Sequence, residues 1–190
     1  MFVNRLKNTV GKSLIVASAV LSTATFAANW SLTPASQVGF NIDSMGMSLV
    51  KGTFKQVQSS LSFDPQAVQK ASTRFVMESQ SLSLSKPSLN KMIMGEDLFY
   101  VAKYKTVIFQ SSEFKAVGQD KYRITGQLTI RGITKPVIFN AQMKQNQANK
   151  QLMDFHASTV IKRSDFGMKK AVGGIGEKVN IQVSGQWKMQ

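Results

Sequence analysis

His156 is the only histidine of the chain, and there is no cysteine. One imidazole among sparse carboxylates does not make an ordinary zinc or iron site, so no metal centre is expected. Asp154 or Asp165 could complete a Ser-His-Asp arrangement with it, but no nucleophile-elbow sequence supplies the serine. His156 alternates with Phe155 and Ala157, which reads as a structural or surface histidine on a strand. Thiol catalysis, disulfide exchange and cysteine-held metals are excluded outright. The Gly-Gly-Ile-Gly run from Gly173 to Gly176 lacks the spacing of a phosphate-binding loop, and Lys178 after it leads into a strand rather than a helix. It reads as a loop between strands. No catalytic residue and no enzyme activity are expected.

The remaining chemistry is cationic. Lys and Arg number 24 against 10 Asp and Glu, a net charge of +14. Such a field draws anionic partners. In an exported chain these are phospholipid head groups, lipid phosphates or acidic glycolipids, not nucleic acid; the competing reading is that basic surface only keeps the protein soluble. Arg163, beside Ser164 and Asp165, offers a planar fork for a phosphate, or else pairs with Asp165 or caps a strand end. Arg131 and Lys169 are further head-group candidates on charge alone, with Lys162 and Lys170 behind them.

Strands must carry these residues. Tyr122, Ile124, Gly126, Leu128 and Ile130 share one parity, and Arg123, Thr125, Gln127, Thr129 and Arg131 the other. That period of two predicts a half-buried strand. Val137, Phe139, Ala141 and Met143 repeat it, and Gly132 and Pro136 punctuate the join, predicting a hairpin with a medium-length loop. Further strands are expected at Trp30–Thr33, Val38–Ile42, Thr73–Met77, Val107–Val117, Leu152–Lys162 and Val179–Trp187. Leu49–Phe63 reads as one long strand whose alternation drifts around Gly52–Val57, as a bulge would cause. Asp64-Pro65 predicts a short helix ending near Ala71. Ser85-Lys86-Pro87 opens a second helical piece that stops near Gly95.

Eight or nine sequence-adjacent strands imply a sandwich or an up-and-down barrel. Eight strands closed on themselves leave room for one small ligand. The twelve Phe and ten Met could line such a space or fill it. Parity alone favours a filled core.

Residues 1–27 read as a secretory signal peptide. Arg5, Lys7 and Lys12 precede a short apolar run, Leu14–Leu21, and Thr25-Phe26-Ala27 fits a small-x-small cleavage site. Residues 28–190 then form one domain of net charge +11, since three positive charges and no acids lie in the leader.

Four motifs carry a resemblance. W-S-L-T-P-A-S-Q-V-G-F-N-I from Trp30 runs on to M-G-M-S-L-V-K-G-T-F ending at Phe54 and L-S-F-D from Leu61. D-L-F-Y-V-A-K-Y-K-T-V-I-F-Q-S-S follows from Asp97, Y-R-I-T-G-Q-L-T-I-R-G-I-T-K-P-V from Tyr122 and R-S-D-F-G from Arg163. In order and at natural spacing, from Trp30 to Trp187, they resemble the YceI-like family. The resemblance implies an all-β, extended eight-stranded antiparallel lipocalin-like barrel with one or two short helices. It implies a secreted or periplasmic protein that binds polyisoprenoid lipid in an apolar tunnel, without a catalytic mechanism. The chain departs from the family at Asp43 and Ser44, where histidine is frequent, at Leu89–Ile93, where a charged pair is common, and at Lys105, a frequent proline. Head-group contacts made by those regions in relatives are not carried over.

The expectation is a periplasmic carrier of a long apolar lipid, polyisoprenoid or isoprenoid quinone, with no cofactor other than such a lipid. The apolar parity nominates Phe40, Phe54, Phe75, Phe109, Leu128, Ile130, Phe139 and Phe155 for the tail, with Arg163, Lys169 and Arg131 for the head. The alternative is a basic stress-response or interaction protein that docks on an anionic membrane or acidic partner with no bound lipid. Homodimerisation through an exposed strand or loop is compatible with either.

Overall fold

A computed structural model describes residues 28–44, 47–169 and 175–190. The leader reading, Lys170 and the first part of the glycine run lie outside the described residues.

Eleven strands form one antiparallel sheet among the described residues. They are β1 (Ala28–Leu32), β2 (Gln37–Ser44), β3 (Met47–Phe54), β4 (Val57–Phe63), β5 (Ser72–Glu78), β6 (Leu82–Leu84), β7 (Thr106–Gly118), β8 (Lys121–Ile130), β9 (Ile133–Gln145), β10 (Leu152–Lys162) and β11 (Lys178–Met189). Pairing runs β1-β4-β5-β7-β8-β9-β10-β11, and β11 pairs back to β1, so these eight strands close into a barrel. β2, β3 and β6 extend the wall beyond β11 toward one end. That end is closed by a cap, residues 85–105, which holds the helix α1 (Asn90–Met94).

Closure depends on β11 having two partners on one edge. Val179–Ser184 pair with β2, and Trp187–Met189 pair with β1. The chain steps between β2 and β1 at Ser36, whose hydroxyl lies 3.1 Å from the Gln186 backbone nitrogen and 3.1 Å from its oxygen. Gly185 stands at the changeover with φ +142°, and a Cβ there would come within 2.5 Å of Ser36 Cα. Only glycine combines that backbone angle with that approach.

The sequence parity becomes the barrel wall. Tyr122, Ile124, Leu128 and Ile130 of β8, and Val137, Phe139, Ala141 and Met143 of β9, are buried. Gly126 shares that parity because a ring needs its space: a Cβ would sit 2.5 Å from the Phe109 ring.

Three local expectations are corrected. The β8–β9 connection is a two-residue turn, with Arg131 at φ 53° and Gly132 at φ 73°, not a medium loop. Both central residues are left-handed, as a tight hairpin requires. Pro136 lies inside β9, opposite Gln127, where β10 no longer pairs with β9. A strand edge tolerates a residue without an N–H. Asp64-Pro65 starts no α-helix: Asp64 Oδ1 accepts the Gln66 N–H at 2.8 Å, but only a 3-10 turn follows, Val68–Lys70. The drift at Gly52–Val57 is a break between two strands, β3 and β4, with different partners, rather than a bulge within one.

Candidate functional site

Because Cβ atoms alternate, every strand turns one row of side chains into the barrel. The enclosed space is lined by apolar groups, with Thr73 and Arg163 the only polar residues on its wall among the described residues. The eight residues nominated for a tail, Phe40, Phe54, Phe75, Phe109, Leu128, Ile130, Phe139 and Phe155, are buried and all line this space. Several of their rings meet neighbouring rings, edge to face or tilted. Phe109 and Phe139 centroids are 5.0 Å apart, and Phe75 and Phe155 flank Trp187 at 5.7 and 5.3 Å. Such contacts add to the area term.

The interior is more nearly filled than a tunnel implies. About 100 Å³ remains free. A dry cavity of about 150 Å³ accepts a benzene-sized guest. A long chain therefore enters only by displacing side chains.

The residues placed to yield are those of the cap and the methionines. Ile93 and Leu98 are almost wholly buried in the interior from the cap side. The Phe99 ring stacks on Phe40 at 5.8 Å and meets Phe54 edge-on at 6.3 Å. Met77, Met143 and Met168 line the same space. Their unbranched chains repack readily. The cap residues stayed off the tail list: Ile93 falls on one side of the short helical piece with Leu89 and Met92, but Leu98 and Phe99 lie in turns, where no period marks an inward face. Trp187 and Met143 did sit on apolar parity, and a register-wide list would have included them.

The three head-group candidates gather at the cap end, and all three bind protein groups there. Arg163 is 1 % exposed. Its Nε donates to Gly176 O at 2.9 Å, Nη2 to Ile175 O at 3.0 Å, and Nη1 to Lys169 O. Glu177 stands 3.9 Å from Nε. The guanidinium thus fastens the 3-10 turn and the segment to Lys169 that follow it to the return into β11, and its acidic partner is Glu177, not Asp165. Arg131 donates to Glu96 O at 3.0 Å and Leu98 O at 2.6 Å and lies over the Tyr104 ring at 5.9 Å. Lys169 pairs with Asp97 at 2.6 Å, and that hydrogen bond, followed by the Asp97 charge, raises the Lys169 pKa above its ordinary value. Arg131 and Lys169 are thereby two ties on the cap.

His156 is exposed on the outer face of β10. Asp154, on the same face, accepts from Asn146 at 2.9 Å and Gln186 at 2.7 Å. No group of three or more metal-ligating side chains occurs among the described residues.

The profile of the YceI-like domain matches residues 30–187. A UPF0312 protein of Photorhabdus laumondii is 32 % identical over 182 residues, 93 % of this chain and 92 % of the relative. One from Azotobacter vinelandii is 31 % identical over 77 % of this chain and 78 % of its own length. The crystal structure of Burkholderia cenocepacia BcnA is similar at a TM-score of 0.75 and 26 % identity, covering 82 % of this chain and 98 % of that one. The Campylobacter jejuni YCEI protein has a TM-score of 0.68 at 19 % identity, over 94 % of this chain and 99 % of that one, which shows the fold. A structure described as a polyisoprenoid binding domain from Saccharophagus degradans has a TM-score of 0.63 at 13 % identity, over 86 % of this chain and 99 % of its own.

Proposed function

As the chain belongs to the YceI-like domain family, we infer that it binds a long-chain apolar lipid, of polyisoprenoid or isoprenoid-quinone type, in the barrel. It acts as a periplasmic carrier, without catalysis. The observation that carries this reading is a barrel interior whose wall, among the described residues, is apolar except for Thr73 and Arg163, closed on one side by a separately tied cap. The Saccharophagus degradans neighbour, described as polyisoprenoid-binding, supports the ligand class, and the leader-like sequence of residues 1–27 supports export.

Burial of apolar chain contributes about 0.8 kcal/mol per methylene, so ten carbons give on the order of 8 kcal/mol. Association and ordering costs remove several of these. Here the displacement of Phe99, Leu98 and Ile93 adds to the cost. Affinity therefore rises with tail length, and a short guest gains too little to lift the cap.

Native mass spectrometry of detergent-free protein, before and after incubation with polyprenyl phosphates and quinones of increasing length, tests the reading. Retained lipid and length-dependent uptake are expected. Repeated absence of both overturns it. One observation favours the second reading, a filled scaffold that acts through its basic surface: the free interior is only about 100 Å³. Anionic-vesicle binding that persists while lipid uptake is absent selects that reading.

A further inference from the structure

The barrel wall comes apart between β9 and β10 at the cap end. Their pairing stops at Ser158↔Asn140. Beyond it, residues 133–139 keep only β8, and residues 159–162 keep only β11. A groove opens between the two edges. Ile138 and Val160 face outward across it, 48 % and 57 % exposed. Lys135, Lys162 and Lys178 stand along it, and Asp165 is the one acidic group on its wall among the described residues. Buried Phe166 forms part of its wall, and Ile161 lines both the groove and the barrel interior.

We propose that this parted β9–β10 edge is the face on which the protein docks to an anionic lipid surface. The inference rests on the carrier reading and supplies it with a place of lipid exchange. Exposed aliphatic tips among lysines match the interfacial layer, where apolar groups enter the acyl boundary and cations meet phosphates. Free strand edges ordinarily attract another strand. Here Pro136 offers no N–H, and lysines flank both edges, two devices that discourage strand addition. What remains is attraction for head groups. The shared wall at Ile161 sets the docked surface beside the space that would receive the tail.

Sedimentation with vesicles of phosphatidylcholine alone, and of phosphatidylcholine with phosphatidylglycerol, tests this. Wild-type protein binds the anionic vesicles and not the neutral ones. Combined Lys135→Glu, Lys162→Glu and Lys178→Glu lowers binding on the order of a hundredfold. The same charge change at the opposite end, Lys70→Glu, Lys150→Glu and Lys188→Glu, has a far smaller effect because screening is short-ranged. Ile138→Asn with Val160→Asn weakens binding about tenfold without altering charge. Melting curves confirm that each variant is folded. Equal losses from the two triple variants overturn the proposal, as does wild-type indifference to anionic vesicles. A concentration-dependent dimer abolished by Ile138→Asn and Val160→Asn assigns the face to a second copy and also overturns it. Uptake of polyprenol from mixed micelles is read on the same samples. Uptake without vesicle binding defeats the docking face alone; vesicle binding without uptake defeats the carrier reading alone.

Discussion

The two ends of the barrel are built from the same apolar side chains and held by different forces. At the end away from the cap, the wall is continuous backbone ladder: β1 bridges β4 and β11, and the aromatic groups of Trp30, Phe63, Tyr122 and Trp187 sit beneath it. The Phe63 and Tyr122 rings meet edge to face at 5.4 Å, and the Trp30 indole N–H donates to Phe63 O at 3.4 Å. At the cap end the ladder is incomplete. Among the described residues β6 pairs with β3 alone, β9 parts from β10, and closure falls to Ile93, Leu98, Phe99 and the two cationic ties of Arg131 and Lys169. Backbone ladders break cooperatively with the whole fold, whereas a plug held by side chains can leave while the barrel stands. One end is therefore the floor and the other the door.

Trp187→Ala is the largest expected blow to this contrast. The indole is 2 % exposed between Phe75 and Phe155, and its loss costs about 3–5 kcal/mol of global stability in denaturant unfolding. Arg163→Met should cost about 2–3 kcal/mol, because it strips charged donors from three carbonyl contacts, one buried and two part-buried. A loss as small as that of an exposed arginine would mean that its inward ties are dispensable and the residue is free for a head group. Phe99→Ala should cost only about 1–2 kcal/mol globally, less than its burial implies, since the cap separates before the barrel does. Hydrogen exchange at Tyr100 and Val101 should quicken in that variant while exchange along β8 stays unchanged. If Phe99→Ala instead matches Trp187→Ala, the two ends are one cooperative unit and the door is fictitious.

Lys169→Met is the smallest. The pair with Asp97 is exposed, and exposed pairs contribute little. Its signature is pH dependence. The Lys169 pKa is raised in the fold by the Asp97 hydrogen bond and then by its charge, so the contribution is complete below the ordinary lysine value and disappears as pH climbs through the raised one. The urea midpoints of wild type and Lys169→Met should differ slightly at neutral pH and converge in alkali. A difference that grows in alkali contradicts the tie.

Parts of this are legible in the sequence alone. The alternation in β8 and β9 names the inward row, because a half-buried strand must place apolar groups at every second position. The eight tail candidates followed from that rule, and all face the interior. Asp64-Pro65 misled because a good cap does not make a helix when β5 begins at Ser72, too soon for a packed apolar face to form. Pro136 misled in the opposite sense. It looked like a strand terminator, and it sits within a strand whose neighbour is missing on one side.

The residues alone determined the class of fold, the inward parity of the strands, the absence of thiol chemistry and the positive charge. Each is a property of composition or of a period of two. Only the folded chain decided where the β9–β10 ladder ends, that Phe99 drops onto Phe40, that Arg163 turns inward and that little free space remains. These depend on contacts between segments far apart along the chain, set by closure of the sheet and close packing, and no local pattern encodes them.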